Sequence, residues 1–314
     1  MTEEQKWLNF YSGTIKELSQ LGMKVLIKLA EEKKYSIYKT LPGVLYVLKF
    51  FEILDSISLN IKYGITSTAT NGLNRICTEY FFGAFYLLKN SNEFERKSMA
   101  IAYLSLIEEE EKFKPFYLSN LTKTFKKVKE EYGFKSDFNP EDFNYSEIES
   151  FYSGLLGHKD FSFVRKEYEV LERLLAKRKI QKIGWYTFWN GPKNVYQVAR
   201  DNNQIVLYDM FYKEFCHDVH GSRSFSKDLF SIDKDLNLYI NDFRIPININ
   251  SCVYPSVYFS HLLFKEIFNK YLHSEKELSK EVSLCMKSFF SKLPKEDPID
   301  IKNNRVILFA DGQK

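Results

Sequence analysis

A mainly α-helical protein is expected from three features of the chain. Helix breakers are scarce, with 13 glycines and 8 prolines in 314 residues. Apolar residues recur every three or four positions over long segments, the period of an amphipathic helix. A composition that is 44% hydrophobic and 17% aromatic supplies a large core. The same composition excludes global disorder and collagen-like or low-complexity chains. Lysine and arginine total 45 against 41 acidic residues, and this net charge of +4 is too even to announce a nucleic-acid or membrane protein.

In chain order, the periodicity predicts helices at roughly residues 3–39, with a break allowed near Gly22, then 43–60, 65–90, 93–112, 117–132 and 160–180. Leu41-Pro42-Gly43 is a turn, and 133–145, with its Asn139-Pro140-Glu141-Asp142 run, is a loop or linker dividing the helices into two groups. The aromatic, turn-rich stretch 184–192 leads into a helix near 193–201 and another over 204–220. Gly221 is placed to stop the latter, because glycine takes the left-handed conformation without strain. Residues 236–240 and 243–247 flank Asn241-Asp242 as a β-hairpin, with Pro246 confining the second arm to an edge. Two further helices are expected at 254–272 and 275–291, then a short terminal strand or an unstructured end at 305–310. This organisation divides into an N-terminal helical extension (1–42), a helical core (43–225), and a C-terminal hairpin and helices packed on the core (226–314). No fixed repeat points to a solenoid.

Cys77, Cys216, Cys252 and Cys285 are scattered singly and lack the C-x-x-C spacing of zinc ribbons or redox motifs. They are expected to be reduced thiols of a cytoplasmic chain. The N-terminal residues are acidic where a secretory signal is basic, and the apolar stretches are too short or too interrupted to cross a bilayer, so no membrane association is expected. No P-loop, no G-x-S-x-G elbow and no G-x-G-x-x-G after a strand is present, and nothing in the sequence recognises a cofactor.

Two constellations could carry chemistry. Arg75 and Glu79 stand four apart, sharing one helix face with Thr68, Gly72, Phe82 and Tyr86. On a solvent-facing stripe such a pair is an ordinary i,i+4 salt bridge worth a few tenths of a kcal/mol, whereas sunk among small and apolar neighbours it needs further partners and points to function. The second is the run from Tyr208 to Gly221, in which Tyr208, Tyr212, Cys216 and His220 recur every four residues along one slowly drifting stripe. His217 and His220 fall in the last turn, where the helix dipole favours an imidazolium suited to donating a proton or holding a phosphate. Equally, the tyrosines can be core aromatics and the histidines cap residues. The spacing of His217, Asp218 and His220 differs from that of the zincins, and Glu214 before His217 is the one Glu-x-x-His, so no metal site is expected. Basic runs at 123–129 and 177–182 alternate with apolar residues as solvated helix faces do.

Taken together, the Arg-x-x-x-Glu helix (Arg75, Glu79) and the later Tyr-x-x-x-Tyr-x-x-x-small-x-x-x-His helix (Tyr208, Tyr212, Cys216, His220), closed by Gly221-Ser222, resemble a bacterial family of unknown function, DUF5677, often grouped with HEPN-like proteins. The resemblance spans roughly residues 50–225, including the Trp185 region and the short helix through Arg200, with Cys216 where the family usually has serine. It implies an HEPN-like helical bundle and, for the wider group, metal-independent RNA cleavage by homodimers in toxin or antiphage defence systems. That group usually carries Arg and His a few residues apart on one helix, a spacing absent here, so Arg75 and His220 would have to meet from different helices. On this expectation Arg75 neutralises phosphate charge, Glu79 orients it or acts as base, Tyr212 holds the phosphate or Glu79, and His220, with His217 in reserve, is the general acid. Tyr208 and Arg200 would contact the ligand, RNA or a nucleotide. The rival expectation is a non-catalytic sensor or interaction module whose polar cluster fixes helix register or holds a small anion.

Overall fold

The computed structural model describes residues 2–34, 36–65, 68–113, 145–219, 230–232, 238–241, 249–293 and 305–309, with scattered positions between 123 and 133. The expected helical class is what forms. The principal helices are α1 (Glu3–Glu32), α2 (Leu41–Lys62), α3 (Thr68–Leu88), α4 (Phe94–Phe113), α5 (Tyr145–Leu156), α6 (Ser162–Ala176) and α7 (Val195–Asp201). A continuous helical run then comprises α8 (Ile205–Leu207), a π-helical turn (Tyr208–Tyr212) and α9 (Lys213–Val219). The run is followed by α10 (Ile249–Lys270) and α11 (Lys276–Lys292). No described helix is long and apolar enough to cross a membrane.

The chain forms two compact units. The larger comprises 1–35, 44–94 and 194–314, the smaller 36–43 and 95–193. In the larger unit α1 starts at an N-cap, where Thr2 Oγ1 accepts a hydrogen bond from the Gln5 amide at 3.1 Å. It runs without a break through Gly22, because that glycine lies under the Phe51 ring: a Cβ there would stand 2.2 Å from Phe51 Cδ1. Beside this contact Ser19 Oγ donates to the Phe51 carbonyl at 2.8 Å. α1 ends at Glu32, earlier than its periodicity suggests, with Lys34 in the left-handed region at φ 50°. The Lys33 ammonium lies 4.9 Å from the centre of the Tyr271 ring.

The central element is α3, which packs against α7, α9, α10 and the π-turn. Its buried side carries Asn74, Thr78 and Phe81, and Phe81 stacks on Phe259 of α10 with ring centres 4.3 Å apart. A polar seam runs beside this stack, where Ser256 donates to Asn74 Oδ1 at 3.4 Å. α10 begins at Ile249 and includes Pro255. A proline favours the first turn of a helix, so a start near 254 is what the sequence suggests, but the turn before Pro255 is helical as well.

Of the expected hairpin at 236–247, only 238–241 falls among the described residues. Leu238–Asn241 is a strand (β2), yet it is the middle one of three, paired antiparallel with β1 (Phe230–Ile232) on one side and β3 (Arg305–Phe309) on the other. Both hydrogen-bonding edges of β2 are thus taken by β1 and β3, and the expected second arm, 243–247, lies outside the described residues. In the smaller unit, α5 is a helix that the turn-rich 133–145 stretch and Gly154 conceal in the sequence. Glu167 of α6 accepts from the Trp189 amide at 2.9 Å, and the Arg96 guanidinium covers the Trp189 ring at 3.9 Å.

Candidate functional site

α3 presents Arg75 and Glu79 one turn apart, and they form an ion pair of 2.9 Å between Arg75 Nη2 and Glu79 Oε1. Side-chain exposures of 23% and 32% place the pair between core and surface, so it is neither a free surface bridge nor sealed from a ligand. The additional partners that such a position requires come from the 205–219 run. The Tyr212 hydroxyl donates to Glu79 Oε1 at 2.6 Å and accepts from Arg75 Nη2 at 3.3 Å. Arg75 Nε donates to Cys216 Sγ at 3.3 Å. The guanidinium also lies 5.5 Å from the Tyr212 ring centre, within cation–π range.

The π-turn explains why Tyr208 and Tyr212 act together. In an α-helix a four-residue step overshoots one turn by about 40°, which is the drift of the stripe seen in the sequence. A π-turn, with its i→i+5 bonding, holds more residues per turn and takes up that drift. The Tyr208 and Tyr212 rings consequently stack with centres 4.8 Å apart and planes at 26°. Tyr196 of α7 meets Tyr208 edge-on at 5.3 Å, completing an aromatic ladder.

Electrostatics follow from this packing. Burial pushes the Tyr212 phenol well above its usual range, and the hydrogen bond to Glu79 and that carboxylate's charge push the same way, opposed in part by Arg75. Burial pulls the Arg75 pKa down, but the bond to Cys216 and the nearby Glu79 outweigh it, so Arg75 is held firmly as the cation. Tyr208 is also raised, chiefly by burial.

Of the residues named from the sequence, the structure brings Arg75, Glu79, Tyr212 and Tyr208 into one cluster. Arg200 pairs instead with its neighbour Asp201 at 3.2 Å on the exposed side of α7. His217 belongs to α9, but its side chain is not among those described, and His220 lies outside the described residues. Cys216 and Tyr196 join the cluster besides the expected site residues. Cys216 is signalled by its place on the four-residue stripe, whereas nothing in the local sequence marks Tyr196. Among the described residues no three His, Cys, Asp or Glu side chains gather at metal-binding range.

The helix pair that carries this cluster lies inside the segment matched by a family profile. The chain belongs to the family described as Family of unknown function (DUF5677), which matches residues 41–236. Neither the comparison with curated proteins nor that with solved structures finds a match.

Proposed function

We propose that the Arg75 cluster engages the phosphate of RNA or of a nucleotide and that, with His220, it performs metal-independent phosphodiester cleavage in an HEPN-like manner. One observation carries this reading. Arg75 is fixed through Nε and Nη2 by Cys216, Glu79 and Tyr212, while its side chain stays partly exposed and Nη1 has no partner among the described residues. A guanidinium has five N–H donors, and the two on Nη1, held in place and facing no acceptor among the described residues, suit a phosphate oxygen. In this mechanism Glu79 and Tyr212 hold Arg75 in register. His220, four residues beyond Cys216 in the sequence, donates the proton to the leaving oxygen. A homodimer acting as a toxin or antiphage effector belongs to the same proposal.

The test is an RNase assay on the purified chain with Arg75→Ala and His220→Ala. Each substitution is expected to lower cleavage by roughly 10²-fold or more, the usual scale for losing a general acid or a charge-stabilising group. Activity that survives both changes removes the mechanism. A second reading, a non-catalytic register lock, draws support from Glu79 already neutralising Arg75 at 2.9 Å. It predicts a loss of stability in Arg75→Ala and no cleavage by the parent chain.

A further inference from the structure

The smaller unit holds a second arginine laid over an aromatic ring. Its centre is Trp189, near the end of the aromatic turn Trp185–Asn190. Trp189 and Asn190 both take left-handed backbone conformations, with φ of 55° and 59°. Neither is a glycine, so the turn carries strain that its surroundings must offset, and strain of this kind gathers at ligand clamps. The surroundings here are specific. Glu167 of α6 accepts from the Trp189 amide at 2.9 Å. Phe163, one turn earlier on the same helix, stacks on the Trp189 ring with centres 5.9 Å apart and planes at 23°. Gly191 closes the turn so tightly that a Cβ there would run into the Tyr186 carbonyl.

The clamp leaves its outer groups open to a ligand. Phe163 is 41% exposed, and Arg96 of α4, also exposed, sets its guanidinium 3.9 Å from the Trp189 ring centre. Arg96 makes no hydrogen bond or ion pair among the described residues, and Glu167 is engaged with the Trp189 amide instead. Other arginines of this unit have their donors occupied: Arg165 donates to the Leu156 carbonyl at 2.8 Å and Arg173 to that of Glu169 at 3.1 Å. Arg178 likewise lacks a partner among the described residues, but it lies over no ring there. A guanidinium stacked through its face keeps its five N–H donors free at the edge, where the fork fits two oxygens of a phosphate.

The stacked guanidinium and the exposed ring both lie within 6 Å of the Trp189 ring centre, so one ligand can touch both. Together they match a molecule that joins flat rings to phosphates. An acidic peptide would use Arg96 and leave Phe163 without a flat partner. A duplex offers phosphates but keeps its bases paired and stacked inside, whereas an unpaired strand offers both groups. We propose that Arg96 and Phe163, mounted on Trp189, form an accessory platform for unpaired RNA, Arg96 taking a phosphate and Phe163 stacking a base. In naming RNA the proposal rests on the reading of the Arg75 cluster given above, but the platform itself requires no cleavage.

The experiment is fluorescence anisotropy of a labelled 2′-O-methyl oligoribonucleotide, which lacks a free 2′-hydroxyl, titrated with the full chain at one fixed salt concentration. Saturable binding is expected. Arg96→Gln, which keeps a flat amide over Trp189 without the charge, should weaken it at least fivefold. Phe163→Leu, which changes an exposed side chain and tests the platform independently of Arg96, should weaken it at least fivefold as well, the scale of one lost base stack. The same two losses are expected in the Arg75→Ala/His220→Ala background, and a duplex of the same sequence should not respond to Phe163→Leu. The proposal is overturned if the single strand does not bind, if its binding is indifferent to either substitution, or if the duplex responds to Phe163→Leu as the strand does. A lower urea midpoint with unchanged binding assigns the stack to anchoring the turn and overturns it too. Failure of the cleavage reading is distinct: the modified strand still binds through Arg96 and Phe163, while unmodified RNA of the same sequence stays intact.

Discussion

Tyr212 is the residue on which the cluster turns, since one hydroxyl both donates to Glu79 and accepts from Arg75. Tyr212→Phe keeps the ring, and with it the stack on Tyr208, while removing both hydrogen bonds. Bonds to charged groups are worth about 1.5–3 kcal/mol, so a loss of about 1–3 kcal/mol in unfolding free energy is expected, measured by urea denaturation. In a double-mutant cycle with Glu79→Gln, the two changes should couple by about 1 kcal/mol or more; strict additivity would mean that the 2.6 Å contact contributes nothing. At this scale the sequence is informative about i,i+4 neighbours and about stripes, so Arg75 with Glu79 and Tyr208 with Tyr212 are legible. It is silent on partners brought together by tertiary packing. That Arg75 Nε meets Cys216, 141 residues away, depends on how α3 and α9 cross, which no local spacing encodes.

Among the elements, the π-turn and the α1–α2 contact make separate predictions. Met210 is 57% exposed within the π-turn and adds a residue to it without contributing to the core. Deleting Met210 should restore an α-helical turn and rotate Tyr208 relative to Tyr212 by about 60°. The expected results are loss of the Tyr208–Tyr212 stack, seen as a change in near-ultraviolet circular dichroism, and a lower melting temperature. Gly22→Ala should cost about 1–3 kcal/mol, the usual penalty of overpacking, because the new methyl meets the Phe51 ring rather than open space. From sequence alone Gly22 looks like a place for a helix to break, since glycine disfavours helix. The close approach of a second helix reverses that meaning. The same limit applies to the sheet: alternation marks 238–241 as a strand, and an Asn-Asp pair suggests a local partner, whereas the distant segment Arg305–Phe309 is a strand that pairs with it.

For the whole molecule, buried groups set the response to alkali. Burial pushes the phenols of Tyr86 and Tyr168 and the thiol of Cys285 up to about 12. All three are raised above their unfolded values, near 10 for tyrosine and about 8.5 for cysteine, so the fold favours the protonated forms. The stability they confer is complete below about pH 8.5 and fades as the pH climbs through about 12. The urea midpoint should therefore be flat between pH 7 and 8 and fall steadily above about 9; a midpoint constant to pH 11 would contradict this burial. The helical class and the order of most helices are legible at this scale because they depend on composition and period, which survive without knowledge of the packing.

A single rod, α3, carries the charged pair on one side and serves as the axle of its unit on the other. Under the toxin reading proposed above, inactivating changes selected by growth will therefore crowd between residues 70 and 88 for two unrelated reasons. Those at the partly exposed Arg75 and Glu79 should lower cellular abundance less than those at the buried Asn74, Thr78 and Phe81, which should deplete the protein itself, and an immunoblot ranks the two groups.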